Sequence, residues 1–284
     1  MLPKMGMKIS DQTKPASVVN AGKDSVIQYL TAVWKYRNLI YVFAYQEFKL
    51  QYAQTRLYFL WMILRPLMVL GLFTFIFDRL IHLPGVNYPY PLFALSGILI
   101  WNSFSFMVNN AGNVILANQQ LVRKMYFPRI ILVFSKMIVG LAETVVTILL
   151  ILLLAILIKF PLRFEILLLP LFIFANLIVG LAIAIWLNAL TIRFRDLHQI
   201  TPTLVGFLVW LTPVFYPTSL IPANYSFFIY LNPIAGVIQG CRWAILGDSL
   251  PSLFFLPSFA FFIVLLFFGL LFFISAESDL ADYI

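Results

Sequence analysis

The chain has 284 residues, of which 62% are hydrophobic and only 11% charged, with a mean hydropathy of +0.97. Soluble domains carry about 25% charged residues, so this composition excludes an ordinary water-soluble fold. The formal net charge of +8, in a chain this apolar, points to the Lys/Arg excess of cytoplasmic membrane-protein loops rather than to a nucleic-acid partner.

Residues 1–25 are polar, with Lys4, Lys8, Lys14, Lys23, Asp11 and Asp24, and lack the apolar run of a signal peptide, so no cleavage is expected. Segment 1–35 reads as a polar N-terminal extension. Tyr36–Arg56 mixes Leu39, Ile40, Phe43 and Leu50 with Arg37, Glu47, Lys49 and Arg56. It predicts an amphipathic helix over 36–56, lying on the inner membrane surface and leading into the first span. Long apolar blocks follow. Leu57–Ile81 holds three charged residues, Arg65, Asp78 and Arg79, and Ile130–Ile158 holds two, Lys136 and Glu143. Ile166–Ile192 and Leu253–Ile274 hold none. About 20 mostly apolar residues cross the hydrocarbon core, whereas barrel strands would read as short alternating segments. The expected fold is therefore an all-α polytopic membrane protein. Six transmembrane helices are predicted near 58–81, 91–113, 130–158, 165–190, 199–217 and 252–275, in a membrane domain over 57–276 with a cytoplasmic tail at 277–284. No internal repeat or low-complexity tract stands out.

Two connecting segments carry signals of their own. Val114–Arg129 is basic and helical in pattern up to Tyr126, with Pro128 placed to start the next helix. Tyr216–Pro251 has Arg242 and Asp248 as its charges, which makes it too apolar for a free loop. Pro217, Pro222, Pro233, Gly236, Gly240 and Gly247 break it too often for one spanning helix. Broken backbone at membrane depth is tolerated against protein or a wet cavity, so short re-entrant gate helices are expected between spans 5 and 6. Basic residues set the orientation. Segment 1–56 carries eight, the loop between spans 2 and 3 adds Arg123, Lys124 and Arg129, and the loop between spans 4 and 5 adds Arg193 and Arg195. The other side has Arg79, Lys159, Arg163 and Arg242. Thirteen against four places both termini in the cytoplasm.

Chemistry is sparse. No G-x-x-x-x-G-K-[ST] loop is present, so the chain has no phosphate loop of its own for ATP. The lone Cys241 excludes a disulfide framework and a cysteine metal site. His82 and His198 lie in different loops without a second ligand, so no metal is expected. No clustered polar set suggests catalysis, which disfavours a membrane-embedded glycan-modifying enzyme. Glu143 sits about 20 Å into span 3 by helical rise, with Lys136 two turns earlier on roughly the same face. It reads either as an ion- or substrate-coupling carboxylate, as in a secondary transporter, or as a polar contact between helices or protomers. Tyr88, Tyr90, Trp101, Trp210, Tyr216 and Tyr230 read as interface anchors or packing. They are also candidates to line a substrate path, since aromatic faces stack on the C–H faces of sugars.

Seven pieces in order carry a family resemblance: LYFLWMILRPLMVLGLFTFIFDRL (57–80), YPYPLFALSGILIWNSFS (88–105), NQQLVRKMYFPRIIL (118–132), IRFRDLHQI (192–200), LTPVFYPTSLIP (211–222), LNPIAGVIQGCRWAILG (231–247) and ESDLADYI (277–284). Over roughly residues 40–284 the chain resembles the membrane subunit of bacterial polysaccharide ABC exporters, the type-2 group that exports O-antigen, capsule and teichoic acid precursors. The resemblance implies a non-catalytic permease of the bacterial inner membrane, acting as a homodimer bound to two copies of a cytoplasmic ATPase. That partner, not this chain, would hold ATP and Mg. The cargo would be a lipid-linked glycan, passed between protomers along spans 1 and 5 and past outer gate helices over Tyr216–Pro251. The amphipathic helix and the loop around 114–127 would contact the ATPase. Gln120, Arg123, Lys124, Tyr126 and Arg129 are the coupling candidates, with Arg195 and Asp196 weaker ones at the second cytoplasmic loop. The polar N-terminal extension departs from the family, as does a tail without the usual basic residues before its acidic end.

Overall fold

The computed structural model describes residues 26–53, 58–82, 84–125, 127–191, 193–222, 225–251 and 253–283, and no strand forms among them. Helix α1 (Val26–Lys35) and α2 (Arg37–Ala53) come first, separated by a turn at Tyr36. The predicted polar extension thus ends in a helix. Val26, Tyr29 and Val33 recur at helical spacing and form an apolar stripe, of which Tyr29 and Val33 are buried. α2 lies along α7 (Ile130–Leu157), where the rings of Phe43 and Phe127 approach to 5.4 Å and Glu47 ion-pairs with Lys136.

α3 (Tyr58–Phe73) runs into a π-helical stretch at Thr74–Leu80, and α4 (Tyr90–Phe106) into another at Met107–Ala111. The short helices α5 (Val114–Ala117) and α6 (Gln119–Lys124) connect α4 to α7. The first α-helical residue after them is Ile130, so Pro128 lies two residues ahead of the helix rather than in its first turn. A short 3-10 turn, Phe164–Leu168, leads into α8 (Leu169–Thr191), then α9 (Leu197–Leu211), α10 (Ser226–Tyr230), α11 (Pro233–Leu246) and α12 (Phe255–Tyr283).

Among the described residues, five helical segments are long and apolar enough to cross a membrane: Leu60–Leu80, Tyr90–Ala111, Ile130–Leu157, Phe164–Thr191 and Phe255–Glu277. The predicted span 199–217 is instead the 15-residue α9, about 22 Å at 1.5 Å per residue and short of a roughly 30 Å core. The chain leaves helical geometry at Thr212, next to Pro213, and α9 stops there. Tyr216–Pro251 forms short helices rather than one span, with α11 as the longest.

Burial divides the molecule. Thirteen of the seventeen residues of α4 are buried, as are thirteen of the fourteen of α11. These two helices pack on each other and on α8, α8 packs along α12, and α4 also packs on α7. Glycines set the approach. A Cβ on Gly240 would sit 2.0 Å from the Phe172 ring of α8, and one on Gly236 would sit 2.5 Å from Phe255 of α12. The Gly236-x-x-x-Gly240 spacing therefore lets two rings lie directly on the α11 backbone, the usual use of small residues between helices in lipid. On α12, Gly269 makes room for Trp186 of α8, whose indole stacks 5.1 Å from Phe272 and donates to the Leu265 carbonyl at 2.9 Å. α3 and α9 bury far less and expose Leu67, Leu72, Leu204, Phe207 and Leu211.

Gly240→Val is expected to abolish stable accumulation in the membrane, whereas Gly206→Ala, in open space on α9, leaves it unchanged. Quantifying the folded fraction by size-exclusion chromatography in detergent checks both.

Candidate functional site: two helix-break junctions and a basic face

The end of the bundle carrying Arg123, Lys124, Arg195 and the start of α12's last turns is the basic end. Here α5 begins after a two-residue turn that ends the π-helical continuation of α4, and its first N–H groups need partners. Asn188 of α8 supplies one. Its Oδ1 accepts from the Ile115 N–H at 3.2 Å, while its amide donates to the carbonyls of Ala111 at 2.6 Å and Ala184 at 2.8 Å. One buried side chain thereby pins the α4–α5 corner to α8. Beyond the corner, Gln120, Arg123 and Lys124 are exposed on α6, and Tyr126 lies outside the described residues.

Arg129 behaves differently from its neighbours. Its backbone N–H, at the start of α7, donates to Oε1 of Glu277 at 2.8 Å, and its guanidinium donates to the Glu277 carbonyl at 2.8 Å. The other carboxylate oxygen of Glu277 accepts from the Tyr29 hydroxyl at 2.5 Å. Glu277 thus joins α1, α7 and α12 at one buried point. Burial, reinforced by this carboxylate, pushes the Tyr29 hydroxyl well above its ordinary range, so it remains a donor. Of the basic coupling candidates, then, Arg123 and Lys124 face outward and Arg129 is engaged inside the chain. Arg195 and Asp196 are exposed just before α9.

At the opposite end the chain reverses after α9 through Thr212–Tyr216, and its carbonyls are taken up by distant side chains. Arg242 of α11, 2% exposed, donates to the Val214 carbonyl at 2.6 Å and lies 3.6 Å over the ring of Phe93. Gly97 permits this approach, since a Cβ there would come 2.4 Å from the same carbonyl. Tyr90 donates to the Phe215 carbonyl at 3.0 Å, and Asn232 donates to the Thr212 hydroxyl at 2.9 Å. Phe215 stacks on Phe73 of α3 with centroids 3.6 Å apart.

The aromatic candidates separate accordingly. Tyr90, Trp101 and Tyr230 are buried within the chain, with Tyr230 donating to Gln239. Tyr88 is half-buried and donates to the Gly247 carbonyl at 3.1 Å. Tyr216 is half-buried and donates to the Trp210 carbonyl at 3.2 Å. Trp210, 59% exposed, stands on the open face of α9, 6.0 Å from Phe73. Glu143 and Lys136 are not brought together: Lys136 pairs with Glu47 of α2, and Glu143 faces a groove between α3, α4 and α7. No group of three metal-ligating side chains occurs among the described residues. Sequence reasoning missed Tyr29, Asn188, Glu277 and Arg242 as organising residues. The available signals were an acid closing a long apolar run at Glu277 and the single cation in an otherwise apolar helix at Arg242.

Comparison with known proteins adds a second line. The membrane family described as ABC-2 type transporter matches residues 38–246. The O-antigen export system permease protein RfbA of Myxococcus xanthus is 27% identical over 229 residues, covering 80% of this chain and 87% of the relative. RfbA of Klebsiella pneumoniae is 25% identical over 214 residues, 75% of this chain and 82% of the relative. The polysialic acid transport protein KpsM of Escherichia coli is 27% identical over 236 residues, 79% and 88% of the two chains.

Glu277→Leu leaves the Tyr29 hydroxyl and the Arg129 N–H without their acceptor, and Tyr29→Phe removes one bond to a charged group, about 1.5–3 kcal/mol. Both variants are expected to melt earlier in detergent than the parent chain, Glu277→Leu more so. A Tyr29→Phe protein with an unchanged Tm would show that the junction does not hold α1.

Proposed function

The chain belongs to the ABC-2 type transporter family, and on that premise we propose that it is the membrane subunit of an ATP-driven exporter moving a lipid-linked polysaccharide outward across the bacterial inner membrane. The observation that carries this reading is the family match over residues 38–246, together with relatives named for O-antigen and polysialic acid export. Those relatives are named as permease or transport proteins, which fits a non-catalytic subunit whose ATP and Mg are bound by a partner.

In this reading the basic end faces the cytoplasm, both termini lie there, and α2 rests at the inner membrane surface. α9 serves as the fifth of six spans, extended by the Thr212–Tyr216 reversal, and α10 and α11 form the outer gate. Two protomers meet through the faces of α3 and α9, whose large apolar side chains are left exposed within one chain. Trp210, with Phe73 and Phe215 beside it, is the aromatic candidate best placed to meet a passing glycan. Two copies of the ATPase dock against α6, and their closure pushes on a helix that lies between the α4–α5 corner, tied by Asn188 to α8, and the start of α7, tied by Glu277 to α12. An ion-coupled transporter using Glu143 is the weaker reading, because the matched family is described as an ABC-2 type.

The double variant Arg123→Glu, Lys124→Glu is expected to abolish surface display of the glycan while the protein stays in the membrane at its normal level. Tagged parent chain is expected to copurify with an ATPase subunit in a one-to-one ratio, and the double variant to lose it. Unimpaired display in the double variant would remove α6 as the coupling surface. Transport that follows an ion gradient and is lost in Glu143→Gln would favour the alternative.

A further inference from the structure

Between α3, α4 and α7 the chain leaves a groove of about 280 Å³ that none of the junctions above uses. Its walls follow helical spacing. α3 contributes Trp61 and Arg65, one turn apart; α4 contributes Asn102 and Ser105, and its π-helical continuation Asn109; α7 contributes Glu143 and Thr147. By helical rise, Arg65 lies about 10 Å and Glu143 about 20 Å from the basic ends of their helices. The groove therefore sits inside the hydrocarbon region.

Polar groups at that depth need partners within the protein or in a bound molecule. Two here lack one. The hydroxyl of Ser103, 5% exposed, and Oδ1 of Asn109 are buried with no hydrogen-bond partner among the described residues, and both residues line this groove. The Asn109 amide is spent on Ser105 at 3.1 Å. Side chains that cost this much to bury mark binding sites in membrane proteins.

The chemistry of the walls selects the ligand. A phosphate would require an excess of cationic donors, but Arg65 is balanced by Glu143. A metal ion would require several carboxylates, and no such cluster is present among the described residues. Among the polar lining groups, neutral amides and hydroxyls, which both donate and accept, outnumber the charged ones, and apolar residues with the Trp61 indole complete the walls. Sugar hydroxyls likewise donate and accept, and the C–H face of a pyranose stacks on an aromatic ring. We propose that this groove binds one pyranose ring of a membrane-anchored glycan, within the membrane-spanning part of the bundle. The assignment rests on the reading of this chain as a glycan exporter and adds to it a binding site within each protomer, apart from the exposed α3 and α9 faces.

The test uses Ser105→Cys in the full chain, in native membrane vesicles, with a membrane-permeant maleimide. Cys241 is fully buried and stays silent. Decyl β-D-glucopyranoside, a single pyranose on an alkyl anchor, is expected to slow labelling at least fivefold. Decyl phosphocholine is expected to leave the rate within twofold, and adding Asn102→Leu should remove the protection by the glucoside. Equal protection by both amphiphiles, protection by neither, or a thiol that never labels would overturn the proposal. Should Ser105→Cys fail to accumulate, Thr147→Cys puts the thiol on the facing helix and reads the same comparison. The assay needs neither export nor ATP. Protection without a copurifying ATPase would therefore defeat the exporter reading and leave the groove standing, while an ATPase partner without protection would do the reverse.

Discussion

Each place where a helix stops inside this apolar molecule exposes carbonyls or N–H groups that hydrocarbon cannot satisfy, at a cost of several kcal/mol per group. The chain meets that constraint with side chains from far away in sequence. Arg242 and Tyr90 take the carbonyls of Val214 and Phe215 after α9, Asn188 holds the α4–α5 corner, and Glu277 accepts from the first turn of α7. Because each cap belongs to a different element from the break it covers, each also fixes two or three helices relative to one another. Tertiary arrangement and backbone satisfaction are here the same interaction.

That matters because apolar burial alone does not choose partners in a membrane, where lipid tails are as apolar as leucine. Selection falls to the polar caps and to close contact at glycines. Gly97, Gly236, Gly240 and Gly269 all lie where a Cβ would collide with a neighbour, and all lie on α4, α11 or α12. Together with α8 these helices form the tightly joined body. Gly71 on α3 and Gly206 on α9 face open space. These two helices have fewer fixed contacts and keep large apolar faces free for lipid or a second protomer.

The long apolar blocks were legible in sequence because span length is a local property. The end of the fifth helix was less legible, since the block's hydropathy continues through Thr212–Tyr216 while the helix stops at Leu211 beside Pro213. Tyr29 was hidden for a related reason: a short apolar stripe follows a polar segment, and only its contact with Glu277, 248 residues away, explains it. The exposure of Arg123 and Lys124 agrees with a charge pattern at a membrane surface. The inward turn of Arg129, three residues before Leu132, could not be read, because the acceptor lies at the far end of the chain. Among the aromatics, composition could not separate Tyr90, whose hydroxyl serves a backbone carbonyl 125 residues away, from the open Trp210.

The same contacts determine how a force would travel in an exporter. A push on α6 meets two stiff connections, the α5 corner held by Asn188 to α8 and the start of α7 held by Glu277 to α12. Both end in the α4–α8–α11–α12 body, so that body moves as a unit. α3 joins it more loosely, through ring stacking at Phe73 and Phe215 and along the walls of the polar groove. Relative motion between α3 and the body must therefore change the width of the groove. A sugar ring held between Trp61 and Asn102 would be gripped or released by the same displacement that rearranges the α3 and α9 faces. In such an exporter the grip on the glycan and the stroke of the motor would be coupled through α3.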